Sequence, residues 1–184
     1  MKASVFIATS LDGYIATKDN DLSWLDEQNK KVPPGEDCGY GQFMASVDCL
    51  VMGRNTFEKV LSFGGDWPYG ALKIVVLSRK GVVIPEALQN SVSQSNEDPT
   101  VLYGQLKQKG YQHLYIDGGQ VIRSFLRAGL IDDITLTLIP VLLGEGISLW
   151  ENAPVDYQFE LQSHHFYEFG FMQYHYQIRY QVKQ

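Results

Sequence analysis

Cysteine is scarce in this sequence, with only Cys38 and Cys49 among 184 residues. The two show neither CxxC spacing nor histidine neighbours at metal-ligand intervals, so zinc and disulfide frameworks are both unsupported and no metal site is expected. A reduced, cytoplasmic chain is the default for such a pattern. Cations are in deficit too, with 15 Lys and Arg against 21 Asp and Glu and a net charge of −6. That balance argues against a general nucleic-acid binder or a polybasic membrane-surface protein, because phosphate-rich partners need clustered Lys and Arg. Long apolar runs are missing as well. Nothing reaches transmembrane length, and Asp12 interrupts "ASVFIATSLDG" too early for a signal peptide. No repeat or low-complexity segment is present. His164 and His165 adjoin in the tail, one for each face of a strand, with no metal spacing around them.

What the chain does have is a 45% hydrophobic content, enough for a substantial core, and a single domain over residues 1–184 is expected. Ala3 to Thr9 is almost continuously apolar, as in a strand buried on both faces of a mostly parallel sheet. The polar stretch from Lys18 to Pro34, with Trp24 and Leu25 isolated in it, reads as a long surface loop able to cover a site. A short helical stretch from Asp37 leads to a second strand, "DCLVMG". The helix "RNTFEKVL" follows, with Asn55 and Glu58 in a capping pattern. "KIVVLS" is a third strand. "QNSVSQSNEDPT" reads as a loop whose Asp98, Pro99 and Thr100 open the helix "VLYGQLKQKG", closed by Gly110.

The strand "HLYID" comes next, then the helix "QVIRSFLRAG" with Val121, Ile122, Phe125 and Leu126 on one face and Gly129 at its end. "DDITLTLIPVLL" is a further strand. In the tail, Met172, Tyr174, Tyr176, Ile178, Tyr180 and Val182 alternate with polar residues, as on a half-exposed antiparallel strand. Paired with "YQFELQSHHFY" across a turn at Glu168 to Gly170, it gives a C-terminal hairpin. The expected fold is therefore α/β: a mixed, mostly parallel central sheet with helices on both faces and a C-terminal antiparallel hairpin.

Three strand ends carry suggestive residues: "MGRNT", "LSRK" and "DGGQV". Ligands of open α/β sheets sit at the carboxyl ends of strands, where helix N-termini offer free N–H groups and glycine lets a phosphate approach. Gly53 with Thr56, and Gly118 with Gly119, fit that description. Ser78 and Arg79 could hold a phosphate monoester, as expected where NADP rather than NAD is bound, and Arg54 could add a second cation.

Taken with "ATSLDGYIA", the order "MGRNTFE", "LSR", "DGG" resembles the dihydrofolate reductase superfamily. The segment "AGLIDDITLTLIPVLLGEGISLW" is similar to the riboflavin-biosynthesis reductase domain, the RibD C-terminal family. The resemblance implies the three-layer dihydrofolate reductase-like fold and NADPH as cofactor. It places cofactor contacts at Ala8 and Ile15, at Gly53, Arg54 and Thr56, at Ser78 and Arg79, and at Gly118, Gly119, Gln120, Val121 and Ile122. It also implies a cis peptide between Gly118 and Gly119.

Asp117 matches the acid that precedes the paired small residues of the riboflavin-type enzymes. Asp117 and Asp26 are the candidate proton donors, and Asp12, Trp24, Tyr40 and Phe43 the candidate substrate contacts, with the loop bearing Trp24 as a lid. The reaction so implied is hydride transfer from NADPH to a C=N or C=O bond of a small heterocyclic substrate, of the 5-amino-6-(5-phosphoribosylamino)uracil reductase type. A dihydrofolate or pterin reductase and a non-catalytic NADP-binding protein are the alternatives. A homodimer is expected, from the relatives and from the tyrosine-rich tail strand.

Overall fold

The computed structural model describes residues 1–152 and 157–180. Its chain order begins β1 (Lys2–Ser10), β2 (Tyr14–Ala16), α1 (Ser23–Asn29), α2 (Tyr40–Ser46), β3 (Cys49–Gly53) and α3 (Arg54–Ser62). It continues with β4 (Lys73–Leu77), β5 (Val92–Ser95), α4 (Pro99–Gln108), β6 (His113–Asp117) and α5 (Gly119–Arg127). β7 (Asp133–Ile139), β8 (Ile147–Ser148), β9 (Tyr157–Phe166) and β10 (Met172–Tyr180) complete it.

The main sheet runs β5-β4-β3-β6-β1-β7-β10-β9. From β5 to β7 every neighbour is parallel, and β10 and β9 are antiparallel. Strands covered on both faces need apolar residues at every position. In β3, Cys49 and Val51 pack into the cluster with Leu114, Ile122 and Phe125, while Leu50 and Met52 pack into the one with Phe57, Ile74 and Tyr115. Helices therefore lie on both faces: α4 and α5 over the first cluster, α2 and α3 over the second. α5 buries Val121, Ile122, Phe125 and Leu126, the face that its spacing predicts. Each large apolar side chain so buried stabilises by about 1.5–3 kcal/mol.

Three local expectations are corrected and one element is added. The segment from Lys18 to Pro34 is not all loop, because α1 lies within it. Trp24 and Leu25 pack against Ile139, Tyr167 and Phe171, and this anchoring favours a helical turn where the polar sequence shows no periodicity. The polar residues 92–95 form β5, an edge strand paired only with β4. Val92 alone of them is buried, so backbone pairing defines the strand without an apolar pattern. The third is the cap of α3: the helix starts directly from β3 with Gly53 as its N-cap and no side-chain capping bond. Glu58 instead accepts from Arg54 Nη1 at 3.2 Å.

The last is the small second sheet of β2 and β8, too short for periodicity to reveal. At the start of α4, Asp98 does cap the helix, its Oδ1 accepting from Thr100 N at 2.9 Å. The tail hairpin forms in the expected pairing, with a bulge between His175 and Tyr176; Val182 lies outside the described residues. Among the described residues no helix is long and apolar enough to cross a membrane.

Candidate functional site

The carboxyl ends of β3, β4 and β6 open into a cavity of about 860 Å³. Two helices begin at its wall, α3 after Gly53 and α5 after Gly118, and neither has a side-chain cap. Their first-turn N–H groups are thus available to an external acceptor, and the helix dipoles favour an anionic one.

Glycine is required at this junction. Gly118 has φ 85° and ψ 131°, and a Cβ there would collide with Thr56 Oγ1. A Cβ on Gly119 would stand 2.6 Å from Ile15 Cδ1 and 3.1 Å from Arg123 Nη1. These close approaches bring the starts of α3 and α5 and strand β2 together around one point. The Gly118–Gly119 peptide is trans, since no cis bond occurs among the described residues; the implied cis bond is corrected. The positive φ of Gly118, open to glycine without a Cβ penalty, makes the turn instead.

Ala8, Ile15, Gly53, Arg54, Thr56, Ser78, Arg79, Gly118, Gly119, Gln120 and Val121 all line the cavity. Ile122 does not: it is fully buried in the core cluster on the far side of α5. Ser78 closes the turn after β4, its Oγ accepting from Lys80 N at 3.1 Å. The side chains of Arg79 and Lys80 stand exposed beside it.

Asp117 ends β6 at the inner wall. Its Oδ1 accepts from Gly118 N at 2.7 Å, and burial pushes its pKa up to about 6. Phenols surround it. Burial, and then the Asp117 charge, push Tyr40 up to about 12 and raise Tyr69 still further. Tyr115 donates its hydroxyl to Phe6 O at 3.0 Å. Phe6 and Tyr115 form the wall itself, while Tyr40 and Phe43 brace it from behind. Phe43 meets Phe6 at 5.1 Å and Tyr115 at 4.9 Å, and Tyr40 meets Phe6 at 5.5 Å.

The remaining candidates lie elsewhere. Asp12 accepts from Ser10 Oγ at 2.5 Å and from Gly144 N at 2.7 Å, and also from Leu143 N. Those bonds, the serine's first, lower its pKa, so its carboxylate ties the β1–β2 turn to the loop before β8. Trp24 is packed in the Ile139 cluster, and Asp26 is exposed on α1. In place of Trp24, the lid segment offers Asn20, Leu22 and Leu25 to the cavity.

Sequence reading missed two groups of lining residues. Lys59, Val60 and Phe63 line the cavity from α3 and its end. Together with Thr56 they recur at helical spacing, which was a readable signal. Asn96 to Pro99 also line it, and they were hidden by the reading of β5 as loop.

The sheet order and the site at its carboxyl edge define a dihydrofolate reductase-like α/β protein, as the structural neighbours also show. The chain belongs to the RibD C-terminal domain family, whose model matches residues 2–171. "Uncharacterized protein YwjB" of Bacillus subtilis (strain 168) is 35% identical over 152 residues, 81% of this chain and 82% of that protein. "Uncharacterized protein YyaP" of the same organism is 26% identical over 152 residues, covering 78% of this chain and 77% of its own. A crystal structure from Shewanella sp. PV-4, of a protein provisionally named for riboflavin biosynthesis, is 38% identical with a TM-score of 0.89. It covers 97% of this chain and 99% of that one. A pyrimidine reductase-like protein from Corynebacterium diphtheriae shares the fold at 15% identity and a TM-score of 0.70, over 98% and 92% of the two chains.

Proposed function

We propose that this protein is an NADPH-dependent reductase of the riboflavin-biosynthesis type, delivering hydride to a C=N or C=O bond of a small heterocycle. The observation that carries this reading is the meeting of two uncapped helix N-termini, α3 and α5, at one cavity that also holds Arg54, Ser78 and Arg79. A pyrophosphate and a 2′-phosphate need that donor set. Bound NADPH supplies the hydride.

The protein supplies the rest. Thr56 and the N–H groups after Gly53 and Gly118 hold the pyrophosphate. Ser78 and Arg79 take the 2′-phosphate, with Arg54 as a second cation. Ala8 and Ile15 flank the cofactor, and Gln120 and Val121 follow it along α5. Asp117, titrating at about 6, keeps a protonated fraction near neutral pH and is suited to hold or give a proton at a substrate nitrogen. Leu22 and Leu25 cover the open side and exclude water.

In this reading the chain is a single cytoplasmic domain that works as a homodimer. Phe159, Leu161 and Phe166 stand exposed on β9, an apolar strip suited to a second copy. Sedimentation at micromolar concentration tests this point, and a monomer refutes it. The cofactor reading is tested by thermal-shift titration with NADPH and NADH in parallel. Stabilisation by NADPH well above NADH is expected; no shift with either overturns the reading.

A further inference from the structure

We propose that Arg123 is a positioning residue for the cofactor, one whose guanidinium locks the start of α5 to β8 and sets a fixed positive charge behind Gly119. The proposal rests on the reading above, in which the start of α5 holds a pyrophosphate. Helical side chains lean toward the N-terminus, so Arg123, four residues after Gly119, lies back along the first turn. Its Nη1 stands 3.1 Å from the place a Cβ on Gly119 would take, and Ile15 Cδ1 stands 2.6 Å from it. Nη1 also donates to Ser148 O at 2.5 Å. Ser148 pairs with Tyr14, so the same guanidinium holds β2, and with it Ile15, against the start of α5.

By itself a cation is poorly placed there. The first turns of a helix are its positive end, where cations are disfavoured. Arg123 is 8% exposed, and burial works against its charge, which Glu151 supports and Arg127 opposes. The Glu151 carboxylate lies 3.9 Å from Nη2 and its side chain is 62% exposed, so water screens it. Among the described residues the guanidinium makes a single hydrogen bond, to a neutral carbonyl. A buried charge with so little compensation marks a place where an anion completes the balance. The adjoining cavity supplies that anion in the cofactor reading. Gln120 lines both this cavity and the separate hollow of about 370 Å³ where Arg123 and Arg127 stand. Gly119 lines the cavity as well, and having no side chain it lets the guanidinium close in. In a buried setting such a charge is little screened by salt or water.

The test titrates inorganic pyrophosphate calorimetrically into the full chain and three variants, at several salt concentrations. Arg123→Met keeps the length of the side chain and removes its charge. It should weaken pyrophosphate by about tenfold and flatten the salt dependence. Arg123→Lys keeps the charge and should recover most of that loss. Glu151→Gln, at an exposed position, removes the competing acid and should strengthen pyrophosphate by about twofold. An arginine kept only for its pairing with Glu151 predicts otherwise, a less stable Glu151→Gln protein with unchanged affinity. Unchanged affinity in a folded Arg123→Met, or weaker binding with the parent's salt dependence, overturns the proposal. Where Arg123→Met does not fold, Glu151→Gln decides alone, and unchanged or weaker binding by it overturns the proposal. A parent protein that binds neither pyrophosphate nor NADPH removes the cofactor reading as well. A parent that binds both, with the variants unaltered, overturns the role of Arg123 only.

Discussion

At the β3–β4 end of the cavity the groups facing a ligand are backbone N–H donors and exposed cations, whereas around Asp117 they are rings and one half-buried carboxyl. The first kind of site depends on glycine geometry, because a Cβ at Gly118 or Gly119 would strike Thr56 or Ile15. Such a site tolerates little change in sequence. The second kind is made of side chains, and each can be exchanged without moving the backbone. A fold can therefore keep its glycine-built end while its side-chain-built end diverges.

The sharpest way to break this contrast is at Gly118. Gly118→Val places a β-branched side chain at φ 85° and against Thr56. That backbone, with ψ 131° outside the left-handed helical well, costs a residue with a side chain about 1–3 kcal/mol and the overpacking about 1–3 kcal/mol. NADPH protection should vanish in a thermal-shift titration, and chemical denaturation should report a loss of about 2–6 kcal/mol, the sum of those two terms. A variant that still binds NADPH normally would show that the close approach of α3 and α5 is not what makes the site.

Asp117→Asn tests the other end. Loss of a general acid lowers kcat by about 10²-fold or more, read in steady-state assays once a substrate is in hand. The group titrates at about 6 against an ordinary 3.8. A step that uses its protonated form should weaken as pH rises through about 6. Stability follows the same direction. Because burial disfavours the carboxylate, the folded state binds more protons than the unfolded one between about 3.8 and 6, so stability falls across that window as pH rises. Allowing for its partial exposure, the cost above pH 7 is about 1–2 kcal/mol. Asp117→Asn should therefore be the more stable protein at pH 8 and no more stable than the parent below pH 3.8. Equal denaturation midpoints at pH 8 would remove the buried-acid account.

A smaller effect is expected at Arg79. Its guanidinium is exposed, and a charged hydrogen bond is worth about 1.5–3 kcal/mol. Arg79→Ala should weaken NADPH by about 10- to 100-fold and leave NADH where it was. Equal loss for both cofactors would place Arg79 away from the 2′-phosphate.

This difference between the ends also explains what could be read in the sequence. Strands β1, β3, β4 and β6 announced themselves because strands covered on both faces are largely apolar, and β7 because Ile134, Leu136 and Leu138 alternate with Asp133, Thr135 and Thr137. The glycines at 53, 118 and 119 were legible because turns into helices leave few other choices. Strand β5 was not, since a polar edge strand is held by backbone pairing that leaves no pattern. Helix α1 was hidden for a related reason: its two large residues, Trp24 and Leu25, are adjacent, and only tertiary packing orders them. At the other end, the position of Asp117 on the cavity wall was legible through the glycines beside it. Tyr69 could not be found, because its nearness to Asp117 depends on how residues 63–72 return to the sheet.

Asp26 shows how the same residue type reads differently once placed. In sequence it and Asp117 were equal candidates for the proton donor. In the fold Asp26 is exposed on α1, whose larger residues turn toward the Ile139 cluster, while Asp117 is held at the inner wall by Gly118 N. A carboxyl facing water has no geometry fixed toward a bound ring, and proton transfer needs a group within hydrogen-bond reach. Asp26→Asn should change kcat by less than about twofold and stability by less than about 0.5 kcal/mol, as for an ordinary surface position. A loss comparable to that of Asp117→Asn would mean that α1 closes further over the cavity when substrate binds, bringing a second acid to the reacting ring.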